Sequence, residues 1–141
     1  MAGALLADSS GLLALADGGE PDHDRIVALL ATPETQLITT DFVLAEMDYM
    51  VLSRLGPAAE RALLQQVAAG AFHREPVSES DLERAFEIAE RFAEHALGIT
   101  DSTLMAISER LAIRHVLTLD HRHFGVYRDR KGRALKLLPG H

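Results

Sequence analysis

An α/β fold with a mostly parallel sheet is predicted by three observations: short apolar runs, helical periodicity between them, and two of those runs ending at an aspartate. Gly3 to Ala7 and His115 to Leu119 are the two runs, closed by Asp8 and Asp120. In a parallel sheet ligands bind beyond the carboxyl ends of the strands, which is where both aspartates fall.

The elements follow in order. Gly3 to Ala7 reads as a buried strand, and Asp8-Ser9-Ser10-Gly11 turns the chain into a helix through Leu15. Asp17-Gly18-Gly19-Glu20-Pro21 is turn chemistry. His23 to Ala31 then carries Ile26, Val27, Leu29 and Leu30 at helical spacing until Thr32-Pro33 stops it. Gln36 to Ile38 reads as a strand, and Thr39-Thr40-Asp41 caps a long helix running to about Arg54, closed by Gly56-Pro57. Ala58 to Ala69 is a further helix ended by Gly70, and Ala71 to Glu75 an edge strand before Pro76. Ser80 and Glu83 form a capping box, after which Leu82, Phe86, Ala89 and Phe92 share one helical face as far as Leu97-Gly98. Thr100-Asp101-Ser102 opens a helix through Ile113 with Leu104, Ile107 and Leu111 inward, and Ala134 to Leu138 adds a last edge strand.

The 141 residues suit one core, so a single domain over 1–141 is expected. The chain has no cysteine, which excludes a disulfide framework and a thiolate zinc site and points to a reducing, cytoplasmic setting. Met1 to Ala16 is apolar and offers Ala14-Leu15-Ala16 as a cleavage triplet, but it lacks a leading Lys or Arg and carries Asp8 mid-run, so no signal peptide is expected. No apolar stretch approaches the roughly 18 residues of a membrane span. The net charge of −7 hides a division: residues 1–109 hold 6 basic and 19 acidic side chains, residues 110–141 hold 8 and 2. The basic end reads either as a solvated face or as a phosphate-facing surface.

Each candidate acid has an ordinary role as well as a functional one. Asp8 can cap the helix near Gly11, Asp101 gains from the positive end of its helix dipole, and Asp120 can form an Asx-turn into His121-Arg122-His123. Glu46 has apolar helical neighbours in Phe42, Val43, Tyr49 and Met50 and so needs a partner; Asp48 is placed much the same way, and periodicity does not choose between them.

Four stretches, in order, carry a resemblance: Leu5-Leu6-Ala7-Asp8-Ser9-Ser10, Val43-Leu44-Ala45-Glu46-Met47-Asp48-Tyr49, Gly98-Ile99-Thr100-Asp101-Ser102, and Val116-Leu117-Thr118-Leu119-Asp120-His121-Arg122-His123-Phe124. Over nearly its whole length the chain resembles the PIN domain, and within it the VapC-type toxins of type II toxin–antitoxin pairs. The resemblance implies a three-layer sandwich with a mostly parallel central sheet flanked by helices. It selects Glu46 over Asp48 as the metal-site glutamate, with Asp8, Asp101 and Asp120 completing the catalytic and metal-holding acidic quartet, and it puts Ser9 and Thr118 at small polar positions next to them. It implies endonucleolytic cleavage of RNA such as tRNA or rRNA, a VapB-type antitoxin, and a homodimer.

Hard oxygen donors suit Mg²⁺, with Mn²⁺ as substitute, better than zinc. Such an ion would generate the attacking hydroxide and stabilise charge on the scissile phosphate. Arg122, Arg128, Arg130, Lys131 and Arg133 are candidate phosphate contacts. Three other readings compete. A catalytically silent PIN-fold module would bind RNA or protein without turnover. A phosphotransfer enzyme using Asp8 as nucleophile is disfavoured by Ser10 where a second acid belongs, and by lysines confined to 131 and 136. A histidine-centred site at His115, His121 and His123 is disfavoured because closely spaced histidines in a polar loop are commonly just solvated.

Overall fold

The computed structural model describes residues 3–140; Met1, Ala2 and His141, which belong to the apolar opening and the domain span discussed above, lie outside the described residues. Five strands form one sheet: β1 (Gly3–Ala7), β2 (Thr35–Thr39), β3 (His73–Arg74), β4 (His115–Leu117) and β5 (Lys136–Leu138). Their order is β3-β2-β1-β4-β5, and every pair is parallel. Leu6 registers with Ile38 on one side and Val116 on the other. Successive side chains of β1 point to opposite faces, yet Leu5, Leu6 and Ala7 are all buried, so helices cover both faces in a three-layer sandwich.

The helices are α1 (Ser9–Ala16), α2 (His23–Leu29), α3 (Asp41–Leu55), α4 (Pro57–Ala68), α5 (Glu79–Arg91), α6 (Ile99–Leu111) and α7 (His121–Val126). α1 packs on α2 and α3, α3 on α4, and α5 on α6. The long middle helix begins where the sequence places it, with the Thr40 hydroxyl accepting the Val43 N–H. From β1 the chain moves outward through β2 to β3, then returns to lay β4 on the other side of β1. The crevice of such a sheet opens where that direction reverses, between the ends of β1 and β4.

One glycine lets the crevice close. A Cβ on Gly11 would lie 2.4 Å from the Leu117 carbonyl oxygen, so only glycine allows the first turn of α1 to rest on the end of β4. α6 is buried on every side from Ser102 to Ser108, its hydroxyls satisfied within the helix by the carbonyls of Gly98, Ile99 and Met105.

Four sequence expectations need correction. The capping box is Ser78 with Asp81, not Ser80 with Glu83, because aspartate fills the third helical position two residues earlier and Ser80 already lies inside α5. The inward face of α5 is Asp81, Ala85 and Ile88, while Leu82 and Phe86 are exposed, at 41% and 65%. Asp81 turns inward to a bidentate pair with Arg110 of α6, at 2.9 and 3.0 Å, and this rotates the apolar stripe away. α5 also stops at Arg91, and a 3₁₀ turn at Ala93–His95 leads to Ala96 in the left-handed region, so the helix does not reach Leu97. β4 is shorter than expected: its ladder ends at Leu117.

Two stability outcomes follow. Gly11→Ala should cost about 1–3 kcal/mol by overpacking, read as a lower denaturant midpoint at unchanged m-value. For Asp81, burial alone would raise the carboxyl, but the Arg110 guanidinium and the Ser78 hydrogen bonds outweigh it and hold the group below its ordinary 3.8. Its stabilisation is therefore complete above that value and disappears as pH falls through the lowered one. Asp81→Asn should destabilise by about 1–2 kcal/mol near neutrality, with the gap to wild type narrowing in acid denaturation below the ordinary carboxylate range.

Candidate metal centre

The ends of β1 and β4 lie side by side, and the chain leaves each through an aspartate that caps the next helix. Asp8 Oδ1 accepts the Gly11 N–H and the Ser10 hydroxyl, both at 2.8 Å, and its Oδ2 accepts the Thr118 hydroxyl at 2.6 Å. Thr118 in turn accepts the Asp120 N–H at 2.9 Å, and Ser10 accepts the Leu119 N–H at 2.9 Å. Asp120 Oδ1 accepts the His123 N–H at 2.9 Å and starts α7. An ionised carboxylate offers about four acceptor positions, so the three donors on Asp8 leave one on Oδ2 for a further electrophile.

Two other elements complete the pocket. The first turn of α6 brings Asp101, whose Oδ2 is 3.1 Å from His123 Nδ1; the same nitrogen is 3.2 Å from Asp120 Oδ2. α3 brings Glu46, whose Oε1 accepts the Ser9 hydroxyl. Asp8, Ser9, Glu46, Asp101, Asp120 and His123 line one cavity of about 480 Å³. Asp48 is not in it; that carboxyl faces Glu60 of α4 and raises the Glu60 pKa through a shared hydrogen bond. The apolar surroundings expected for Glu46 are also absent, since Glu46 lies on an open face where Tyr49 is 72% exposed.

All four expected carboxylates therefore meet, with Ser9 and Thr118 beside them. Ser10 and His123 belong to the site and were not among its expected members. His123 had a sequence signal in its place three residues after Asp120, and Ser10 in its place two residues after Asp8, the spacing at which a hydroxyl meets a capping carboxylate. The five basic candidates do not gather there. Arg128 is held on the backbone carbonyls of Gly125 and Tyr127, whereas Arg130, Lys131 and Arg133 line a separate cavity. Arg122 is exposed on α7.

The electrostatics are those of crowded anions. Burial pushes the Asp8 carboxyl up to about 6, against the pull of the Thr118, Gly11 and Ser10 hydrogen bonds and with a contribution from the Asp101 charge. Asp101 is raised as well, first by burial and then by Asp120 and Glu46, with His123 acting in opposition. Asp101, Asp120 and His123 each present a ligand atom within 4.8 Å of the others. Mostly carboxylate donors with too little neighbouring positive charge suit a hard divalent cation such as Mg²⁺ or Mn²⁺.

Thr118 links both strand ends and is fully buried. Thr118→Val keeps its shape but strands Asp8 Oδ2 and the Asp120 N–H, and should cost about 1–3 kcal/mol in thermal unfolding with EDTA present.

The protein-family model of the PIN domain matches residues 5–129, spanning all four carboxylates. Ribonuclease VapC26 of Mycobacterium tuberculosis (strain ATCC 25618 / H37Rv) is 33% identical over 135 residues, which cover 96% of this chain and all of that protein. The crystal structure of Mycobacterium tuberculosis VapC20, described as a Sarcin-Ricin loop cleaving toxin, superposes with a TM-score of 0.73 at 22% identity, covering 84% of this chain and 91% of that one. On the family match and the full-length similarity, this chain belongs to the PIN-domain family and, within it, to the VapC ribonucleases.

Proposed function

We propose that the chain is a metal-dependent endoribonuclease toxin that hydrolyses RNA phosphodiester bonds at the pocket between β1 and β4. The convergence of Asp8, Glu46, Asp101 and Asp120 from four separate segments on one cavity carries this reading. A cation bound there supplies Lewis-acid stabilisation of the phosphate and lowers the pKa of an attacking water.

The chain's own groups do the positioning. Asp8, Asp101 and Asp120 would hold the ion, with Glu46 at the cavity's open side, Mg²⁺ being the physiological cation and Mn²⁺ a substitute. Thr118 and Ser10 fix the rotamer of Asp8, so its unfilled acceptor position is already aimed before metal arrives. Ser9 holds Glu46 at the open side of the cavity, where its carboxylate orients water and takes up a proton. His123 sits between Asp101 and Asp120, keeps the pair together while no cation separates their charges, and is a candidate nitrogen donor.

The wider setting is part of the same proposal: one domain over 1–141, acting in the cytoplasm, on structured RNA such as tRNA or rRNA, as a homodimer restrained by a VapB-type antitoxin. No helix among the described residues is long and apolar enough to cross a membrane. An apolar cleft of about 620 Å³ beside α1, α3 and α4, lined by Leu12, Leu15, Met47, Val51, Leu63 and Phe72, fits the apolar face of an antitoxin helix.

The test is cleavage of total cellular RNA by the purified, partner-free protein with Mg²⁺ or Mn²⁺. Discrete products should vanish with EDTA, and Asp101→Asn should slow their appearance at least a hundredfold, on the order expected for a disturbed metal site. Equal cleavage by Asp101→Asn would remove this site from the chemistry. RNA bound but never cut would favour the silent module.

A further inference from the structure

Every nuclease built on clustered carboxylates must hold a polyanion against its own charge, and here the difficulty is acute because residues 1–109 carry 19 acidic side chains against 6 basic ones. A second cavity, of about 450 Å³, has the opposite character. Arg114, Arg130, Lys131 and Arg133 contribute to its lining, against two acids, Glu109 and Asp129.

Both acids are already occupied in building the wall. Glu109 accepts the Arg84 guanidinium at 2.8 and 3.0 Å and the hydroxyl of Tyr127, whose ring is fully buried as the cavity floor. Asp129 accepts the backbone N–H groups of Lys131 and Arg133 at 2.9 and 2.8 Å and the Arg133 guanidinium at 2.9 Å, which closes the turn through Gly132. Arg130 reaches Glu87 at 3.3 Å, a carboxylate it shares with Arg84. Arg114 and Lys131 are left over: among the described residues neither side chain makes an ion pair or a hydrogen bond. The excess extends to the adjoining edge, where burial, Lys136 and Arg114 together hold the His115 imidazole below its usual value.

The two cavities are joined by common elements. α6 gives Asp101 to the acidic one and Ser108 to the basic one; seven residues at 1.5 Å each put these on the same helical face about 10 Å apart. α7 bridges them too, with Asp120 and His123 at one end and Tyr127 just past the other. At ~3.4 Å per stacked nucleotide, the separation of the near walls is about three nucleotides of a single strand, and Arg114, beyond the end of α6, lies farther still.

We propose that the cavity lined by Arg114 and Lys131 is a phosphate-binding subsite that grips the RNA strand more than three nucleotides from the bond cut in the acidic pocket. The assignment rests on the ribonuclease reading above. The subsite provides sequence-independent affinity and sets the direction in which the strand crosses the pocket. Recognition of particular bases lies elsewhere.

The experiment uses the full chain in EDTA with a fluorescent, uncleavable 2′-O-methyl single-stranded RNA, following anisotropy as salt is raised. Wild type should bind, and the Arg114→Ala/Lys131→Ala double variant should bind roughly tenfold more weakly, its log–log salt slope smaller by about 1.4 for two lost contacts. Asp101→Asn, which removes a charge from the acidic pocket, should bind at least as tightly as wild type. Matching thermal melts check that the double variant folds, with Arg114→Gln/Lys131→Gln as a second version. Unchanged affinity and slope in the double variant overturn the subsite even if wild type cuts RNA. Adenosine monophosphate stabilising wild type but not the double variant, with RNA affinity equal in both, assigns the cavity to a small phosphate ligand and also overturns it. A wild type that neither cuts nor binds RNA removes the ribonuclease reading together with the subsite.

Discussion

A single hydrogen bond, from the Thr118 hydroxyl to Asp8 Oδ2, spans 110 residues of sequence and ties together the two halves on which everything else depends. It exists only because β1 and β4 are neighbours, and they are neighbours only because the chain reverses its progress across the sheet. Gly11 lowers α1 onto the carbonyl end of β4, and Ser10 then bonds both Asp8 and the Leu119 backbone. The first anion of the site is thereby held by the sheet and not by a loop. Preorganisation of this kind costs stability, since a buried carboxylate raised to about 6 is an uncomfortable group to enclose.

The ordinary and the functional explanations of the aspartates are both true. Asp8 and Asp120 do cap helices, through Gly11 and His123. Capping consumes Oδ1 in each case and leaves Oδ2 directed toward the cavity side, where Thr118 or His123 meets it. A helix N-terminus thus orients the ligand and adds a favourable dipole, so the local role is the means by which the chemical one is achieved.

The sheet and most helices were legible because their signals are local: apolar runs of strand length, threonine and glycine at helix ends, and prolines between elements. Among the described residues all five strands and six of the seven helices were anticipated, with errors at boundaries; α7, read as an Asx-turn and a polar loop, is a helix that Asp120 caps. α5 was misread because its Leu82 and Phe86 look like a core stripe, and only the tertiary pair of Asp81 with Arg110 shows that the opposite face turns inward. Helical periodicity could not separate Glu46 from Asp48; the resemblance chose Glu46, and in the fold Ser9 stands beside that carboxyl and Glu60 beside the other. The roles of His123 and Ser10 depend on distances across the sheet, which no spacing along the chain encodes. The basic end was read as one surface, whereas the fold divides it between a backbone clamp at Arg128 and a cavity around Lys131.

The place of β4 in the chain has a consequence in time. It lies inside the sheet, between the central β1 and the edge strand β5, but among the described residues it is the fourth of five strands to be made, after more than 110 residues. On the ribosome, Asp8 and Glu46 emerge long before Thr118 and Asp120, and the slot beside β1 stays unfilled until β4 has emerged. A product ending just before β4 carries Asp8, Glu46 and Asp101 but neither Thr118 nor Asp120, and it presents an unsatisfied sheet edge that favours proteolysis over a formed site. For a protein that acts on RNA, this order of assembly delays competence until β4 and Asp120 have left the machine that makes them.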